Sequence, residues 1–135
     1  ILMHKINKYN VLIKKDLEKE VKISGYRNEL GQVILSIINN ALDKFQENSI
    51  TENIIEISLK SEDKKVYLKI LDNGVLIPEN LLPNRLFERN VSTKKGGTGV
   101  GLAICKKIIE KSFNGEIKAY NQDNKVVFEI VLKKI

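Results

Sequence analysis

Apolar residues recur at steps of three and four through Leu30, Val33, Ile34, Ile37, Ile38, Ala41, Leu42 and Phe45. That period predicts an amphipathic helix with one long buried face. The pattern dissolves in a polar loop from Gln46 to Asn53. A second helical pattern runs from about Gly99 to Ser112, with Val100, Ile104 and Ile108 in one apolar row and Ile109 and Phe113 beside it. Lys106, Lys107 and Lys111 suit the negative end of its dipole, and Asn114-Gly115 stops it. Between and around these helices the period changes to two. Tyr9 to Ile13 and Val21 to Ile23 read as short strands. Asn53 to Lys60 and Lys65 to Leu71 read as a hairpin, as do Glu116 to Tyr120 and Lys125 to Leu132. Pro78 to Asn80 suggests a short helical turn, and Pro83 to Gly97 has no period and is expected to form a long, partly mobile loop. Hairpin-linked strands favour antiparallel pairing, and two helices suffice to cover one face of a sheet. The expected fold is therefore α/β, a two-layer sandwich with a mixed or antiparallel sheet covered on one face by helices.

Composition narrows this picture little. The chain has 135 residues, 42% hydrophobic and 30% charged, which suits one soluble domain spanning 1–135. It begins with Ile1, so it is read as a piece of a longer protein. The formal net charge of +6 comes almost wholly from scattered lysine. Lysine without interleaved arginine or aromatics is a solvated surface, so no nucleic-acid partner is expected. No apolar run is long enough to span a membrane, and no membrane contact by this fragment is expected. The single cysteine, Cys105, lies on the apolar side of its helix and reads as a small core residue suited to a reducing, cytoplasmic setting.

The chemistry begins at Gly97, Gly99 and Gly101, which alternate just before the second helix. Glycine brings backbone N–H groups close to a ligand, and a helix N-terminus presents more of them with a positive dipole end. Phosphate is the usual occupant of such a site, although a bare Gly-rich loop has the same composition. No G-x-x-x-x-G-K-[ST] occurs, and G-x-G-x-G is not the G-x-G-x-x-G of dinucleotide folds.

Two other stretches carry polar chemistry. On the first helix Ser36, Asn40 and Lys44 share one face, with Asp43 beside them. An amide oxygen suits Mg²⁺, but a solvated polar face has the same spacing. Asp72 follows a buried-looking strand at the mouth of Asp72-Asn73-Gly74. A carboxylate there is able to fix the exocyclic amine of adenine while Gly74 lets the base approach; Asp-Asn-Gly is also a plain turn signal.

Taken together these stretches resemble the catalytic, ATP-binding domain of sensor histidine kinases, within the ATPase superfamily shared with gyrase, Hsp90 and MutL proteins. The resemblance covers essentially the whole chain. Leu30-Gly31-Gln32-Val33 to Asn39-Asn40-Ala41 is similar to the N box, and Asp72 to Pro78 to the first glycine box. Leu86-Phe87-Glu88 to Ser92-Thr93-Lys94 is similar to the F box, and Gly97 to Ile104 to the second glycine box. The resemblance implies a fold of the Bergerat type and binding of ATP with Mg²⁺. Asn40 would hold Mg²⁺, Asp72 would read the adenine amine, and Gly74 and Ile77 would wall the base pocket. Thr93 and Lys94, with Gly97, Thr98, Gly99, Val100, Gly101 and Leu102, would hold the phosphates, and the segment between Pro78 and Gly97 would be the ATP lid. The partners implied are an upstream dimerisation domain carrying the phosphoacceptor histidine and, indirectly, a response regulator. His4, followed by lysine, does not resemble that acceptor site.

The sequence departs from the family pattern at three positions. Leu76 replaces a second glycine. Ser36 stands where hydrolytic relatives have Glu, and a hydroxyl is no general base for water at neutral pH. Asp43 replaces a common lysine, leaving Lys44 as the neighbouring candidate for a phosphate. A related serine/threonine kinase and a non-catalytic ATP-sensing module remain the alternatives.

Overall fold

The computed structural model describes Ile6 and residues 10–48, 52–89 and 101–134. Two hairpins build most of its sheet. β1 (Val11–Leu17) precedes the first, in which β2 (Asn53–Glu62) turns into β3 (Lys65–Asp72); β4 (Glu116–Gln122) turns into β5 (Lys125–Lys133). The second turn places Asp123 at φ 51 and Asn124 at φ 63. Positive φ at both central residues matches the twist of the flanking strands, and Asp and Asn tolerate it. The order across the sheet is β1-β2-β3-β5-β4, with β1 parallel to β2 and the remaining pairs antiparallel. This is the mixed sheet expected.

α1 (Arg27–Asn48) and α2 (Gly101–Ser112) are the two main helices. α1 buries Val33, Ile37, Ile38, Ala41, Leu42 and Phe45 in one core with Ile55, Leu68, Ile70, Phe128 and Ile130 of the sheet. Full burial of such side chains contributes about 1.5–3 kcal/mol each, before the entropy of ordering them. The inward positions of β3 are Val66, Leu68, Ile70 and then Asp72. Those of β4 are Ile117, Ala119 and then Asn121. Asp72 pairs with Val126, and Val126 with Asn121, so both polar residues stand in one row at one end of the sheet.

The outer face is finished by ion pairs. Glu129 is buried between Lys69 at 3.7 Å and Lys118 at 3.2 Å. Its hydrogen bond holds the Lys118 ammonium above the usual lysine pKa. Lys125 pairs with Glu56 at 2.6 Å. With the face closed in this way, one layer of helices is enough. No helix among the described residues is long and apolar enough to cross a membrane.

Several boundaries differ from expectation. The first strand runs to Leu17, because parallel pairing with β2 continues past its apolar start. Val21 to Ile23 is not a strand; it contributes a single bridge between Ile23 and Lys134. α1 continues through Asn48, where a loop was expected. The segment without period contains a short 3-10 turn, Arg85–Phe87, whose Leu86 and Phe87 are buried. Phe87 packs edge-on against Phe128, with ring centroids 6.4 Å apart. On α2 the buried row is Cys105 and Ile109, whereas Ile104 is exposed. The helix ends with Asn114 at φ 50, and the Gly115 N–H donates to the Ile109 carbonyl at 2.9 Å.

Cys105 is a core residue, as its position predicted. Burial raises its thiol pKa, and a hydrogen bond with Ser36 partly opposes the rise. Only the thiolate attacks a disulfide reagent. A colorimetric thiol assay at pH 8 should find Cys105 at least ~100-fold slower in the folded domain than in denaturant, since reaction requires opening of the core. Immediate reaction in the folded state would contradict this packing.

Candidate functional site

Asp72 ends β3 on an inward position, so the strand alternation that buries Ile70 also buries a carboxylate. Its Oδ1 accepts the Gly74 N–H at 2.9 Å. The Lys44 ammonium donates to Oδ1 at 3.0 Å and to Oδ2 at 3.2 Å, and approaches the Val75 carbonyl at 3.5 Å. A carboxylate offers about four lone-pair positions; among the described residues three are taken by these contacts, which leaves one on Oδ2.

The close approach of the turn to this carboxylate requires glycine. A Cβ at Gly74 would stand 2.9 Å from Asp72 Oδ1 and 3.4 Å from Phe45 Cε1. The next residues are held by two asparagines. Asn73 accepts the Ile54 N–H at 2.8 Å through Oδ1 and donates through Nδ2 to the Glu52 carbonyl. Asn121 accepts the Ile77 N–H at 3.0 Å and donates to the Ile77 carbonyl at 2.9 Å. Both backbone groups of Ile77 are thus fixed, and its side chain is buried.

α1 supplies the facing wall. Lys44 is buried, Asn40 one turn earlier is half-buried, and so is Ser36 one turn before that. Ser36 meets Cys105 of α2. The face carrying these three residues therefore packs against the second helix and the Asp72 turn, and is not the solvated polar face that the same spacing allowed. Lys44, expected at a phosphate, is held on the Asp72 carboxylate.

Gly101 and Leu102 begin α2; a Cβ at Gly101 meets nothing among the described residues. Lys106, one turn on, lies 5.9 Å from the Phe87 ring centroid. Thr93, Lys94, Gly97, Thr98, Gly99 and Val100 lie outside the described residues, as do the distal part of the expected lid and His4.

Asn121 falls between the two strands expected for the second hairpin, Glu116 to Tyr120 and Lys125 to Leu132, yet it belongs to β4. Its signal is register: counting by two from Ile117 through Ala119 puts a polar residue on an inward position, and such a residue needs buried partners. Asn73 was read only as part of a turn, yet its side chain stitches that turn to β2.

Residues 25–134 match the family described as histidine kinase-, DNA gyrase B- and HSP90-like ATPase, and the chain belongs to that family. Its relatives are sensor histidine kinases. It is 38% identical over 98 residues to the sensor protein KdpD of Clostridium acetobutylicum, which is 68% of this chain and 11% of that protein. It is 32% identical over 111 residues to sporulation kinase A of Bacillus subtilis, which is 82% of this chain and 18% of that protein. The chain thus spans a small part of the curated relatives it matches. Among solved structures, the nucleotide-free catalytic domain of the histidine kinase ThkA superposes with a TM-score of 0.85 at 30% identity, over 98% of this chain and 85% of that one. ThkA in complex with the response regulator TrrA gives 0.81 at 27% identity, over 99% of this chain and 37% of that one. The fold is that of a histidine kinase catalytic domain.

Proposed function

We propose that this chain is the ATP-binding part of a longer sensor histidine kinase, working in the cytoplasm. In this reading it binds Mg-ATP and gives the γ-phosphate to a histidine on a separate dimerisation domain, from which the group passes to a response regulator. The observation that carries it is the buried Asp72 carboxylate, which among the described residues keeps one acceptor position on Oδ2, at a turn where a Cβ at Gly74 would crowd Oδ1. An amine donor of adenine is the chemistry that such an acceptor takes, with Ile77 against the base. Asn40, one turn from Lys44 on the same helix face, has the oxygen donor that Mg²⁺ prefers. Thr93, Lys94 and the Gly97 to Leu102 backbone would hold the phosphates. When bound, Mg²⁺ would neutralise charge on the triphosphate.

The acceptor imidazole attacks the γ-phosphorus through its neutral nitrogen; the P–N bond forms as the bond to the bridging oxygen breaks and ADP leaves. Catalysis of this step is positioning and electrostatics. Ser36, bonded to a thiol, offers no base to activate water, so hydrolysis should be slow.

The test is radiolabelled ATP with the domain alone, then with the histidine-bearing helical domain of the same parent in trans. Acid-labile, base-stable label should appear on the added domain only. Acid-stable label would indicate the serine/threonine kinase. Tight binding without transfer would indicate the non-catalytic sensing module, and brisk phosphate release by the domain alone would overturn the proposal.

A further inference from the structure

Asparagine is depleted in strands, and an apolar side chain at position 121 would extend the inward row of Ile117 and Ala119 and bury more surface. The Asn121 amide instead makes two bonds to one residue outside the sheet. It accepts the Ile77 N–H at 3.0 Å and donates to the Ile77 carbonyl at 2.9 Å, both ordinary hydrogen-bond lengths. The place of this grip gives it a use. Asp72 and Asn121 stand in one row with Val126 of β5 between them. Neighbouring strands lie ~4.8 Å apart, so the two positions are about 10 Å apart. The segment from Asn73 to Ile77 therefore passes from β3 to β4. It is fastened at its start, where Asn73 accepts the Ile54 N–H and Gly74 donates to Asp72, and at its finish, where Asn121 holds Ile77. Val75 and Leu76 between these points are 49% and 38% exposed. Side chains left in solvent give a segment little packing of its own, so its course depends on the two fastenings.

We propose that Asn121 is a positioning residue for the nucleotide base: by gripping both backbone groups of Ile77 it sets where Ile77 stands relative to Asp72. The proposal rests on the reading above, in which Asp72 takes the adenine amine and Ile77 lies against the base. A base resting on a fixed residue meets the carboxylate at one distance and angle. Against a loose one the hydrogen bond lengthens, bends and weakens. Guanine presents a carbonyl oxygen where adenine presents its amine. A fixed Ile77 therefore holds guanine with an acceptor against the carboxylate and turns it away, whereas a loose one lets it shift. Asn121 itself touches no part of the nucleotide and acts through Ile77.

The experiment titrates the domain with ATP, ADP and GTP, with magnesium and with EDTA, at a temperature where melts show each variant folded. Wild type should bind ATP more tightly than GTP. Asn121→Ala should bind ATP and ADP alike about fivefold more weakly, the size of one hydrogen bond, and GTP nearly as wild type does. Its gain in ATP affinity from magnesium should be unchanged, because the loss lies at the base. If the alanine variant does not fold, Asn121→Asp provides the test. It has the same size, keeps the bond to the Ile77 N–H and sets a carboxylate against the Ile77 carbonyl, so it should show the same base-specific loss. A merely structural asparagine would lower the melt and leave the preference for ATP over GTP intact in the folded variants, and that result overturns the proposal. Loss of the magnesium gain in place of the base preference overturns it as well. Wild type separates this from the parent assignment: if it binds ATP and GTP alike, Asp72 does not read the amine and both inferences fall. If wild type prefers ATP and the variants keep that preference, only the role of Asn121 is lost.

Discussion

Asp72→Ala should remove measurable ATP binding and lower domain stability by about 3–5 kcal/mol, the cost of stranding one partner of a buried ion pair. The Lys44 ammonium would lose both carboxylate contacts, and the Gly74 N–H would lose its acceptor. A loss of that size is a large part of the stability of a single domain, so binding and folding must be measured apart. Asp72→Asn separates them. Its amide oxygen still accepts from Gly74 and Lys44 at nearly unchanged volume, so the denaturant midpoint should fall less than in the alanine variant, although Lys44 still loses its counter-charge. The amide also turns an N–H₂ group toward the adenine amine, and two donors cannot bond. ATP affinity of the asparagine variant should therefore still drop more than tenfold, by the loss of a hydrogen bond to a charged acceptor. The checks are a denaturant melt and a calorimetric titration on both variants. Normal affinity in Asp72→Asn would leave the carboxylate as a structural lock for Lys44 and remove it from base recognition.

That such an acceptor lies at Asp72 is legible in the sequence, and the reason is periodic. Val66, Leu68 and Ile70 alternate inward, and the next step of two is an aspartate. The same logic makes the core of α1 readable, because its apolar spacing is that of the helix itself. Legibility fails where the period carries no information. β1 is an edge strand whose last residues, Lys14 to Leu17, are exposed, so nothing in their composition records that they pair with Glu56 to Leu59. Leu86 and Phe87 lie in a single 3-10 turn, too short for any repeat, and only the tertiary fold shows that they anchor the loop to the core. Lys44 shows a different limit. Four-residue spacing fixes the helix face it shares with Asn40, but a four-carbon stem reaches in many directions. What decides its position is the Asp72 carboxylate, 28 residues away in sequence.

Asn40 carries the other large effect. Asn40→Ala should reduce phosphotransfer to the histidine-bearing domain about a hundredfold or more, because the charge stabilisation a metal gives a transferring phosphoryl group is worth several kcal/mol. Its helix position is set by its neighbours. Ala41 and Leu42 are buried in the core and fix the helix, while Lys44, one turn on, reaches Asp72. Asn40 shares the helix face of Lys44, one turn away, and of Ser36, which meets Cys105 of α2. Truncation there should leave folding nearly unchanged, since alanine is the better helix former and Asn40 is only half-buried. The discriminating measurement is ATP affinity with magnesium and with EDTA. Wild type should bind more tightly with the metal, and the alanine variant should lose that increment while matching wild type in EDTA. Asn40→Asp, which keeps an oxygen ligand and adds charge, should restore part of both the increment and the transfer. If Asn40→Ala keeps the full magnesium increment yet loses transfer, the amide acts on the phosphoryl group or its acceptor and not through the metal. If it keeps both, the ligand for Mg²⁺ lies elsewhere on the chain.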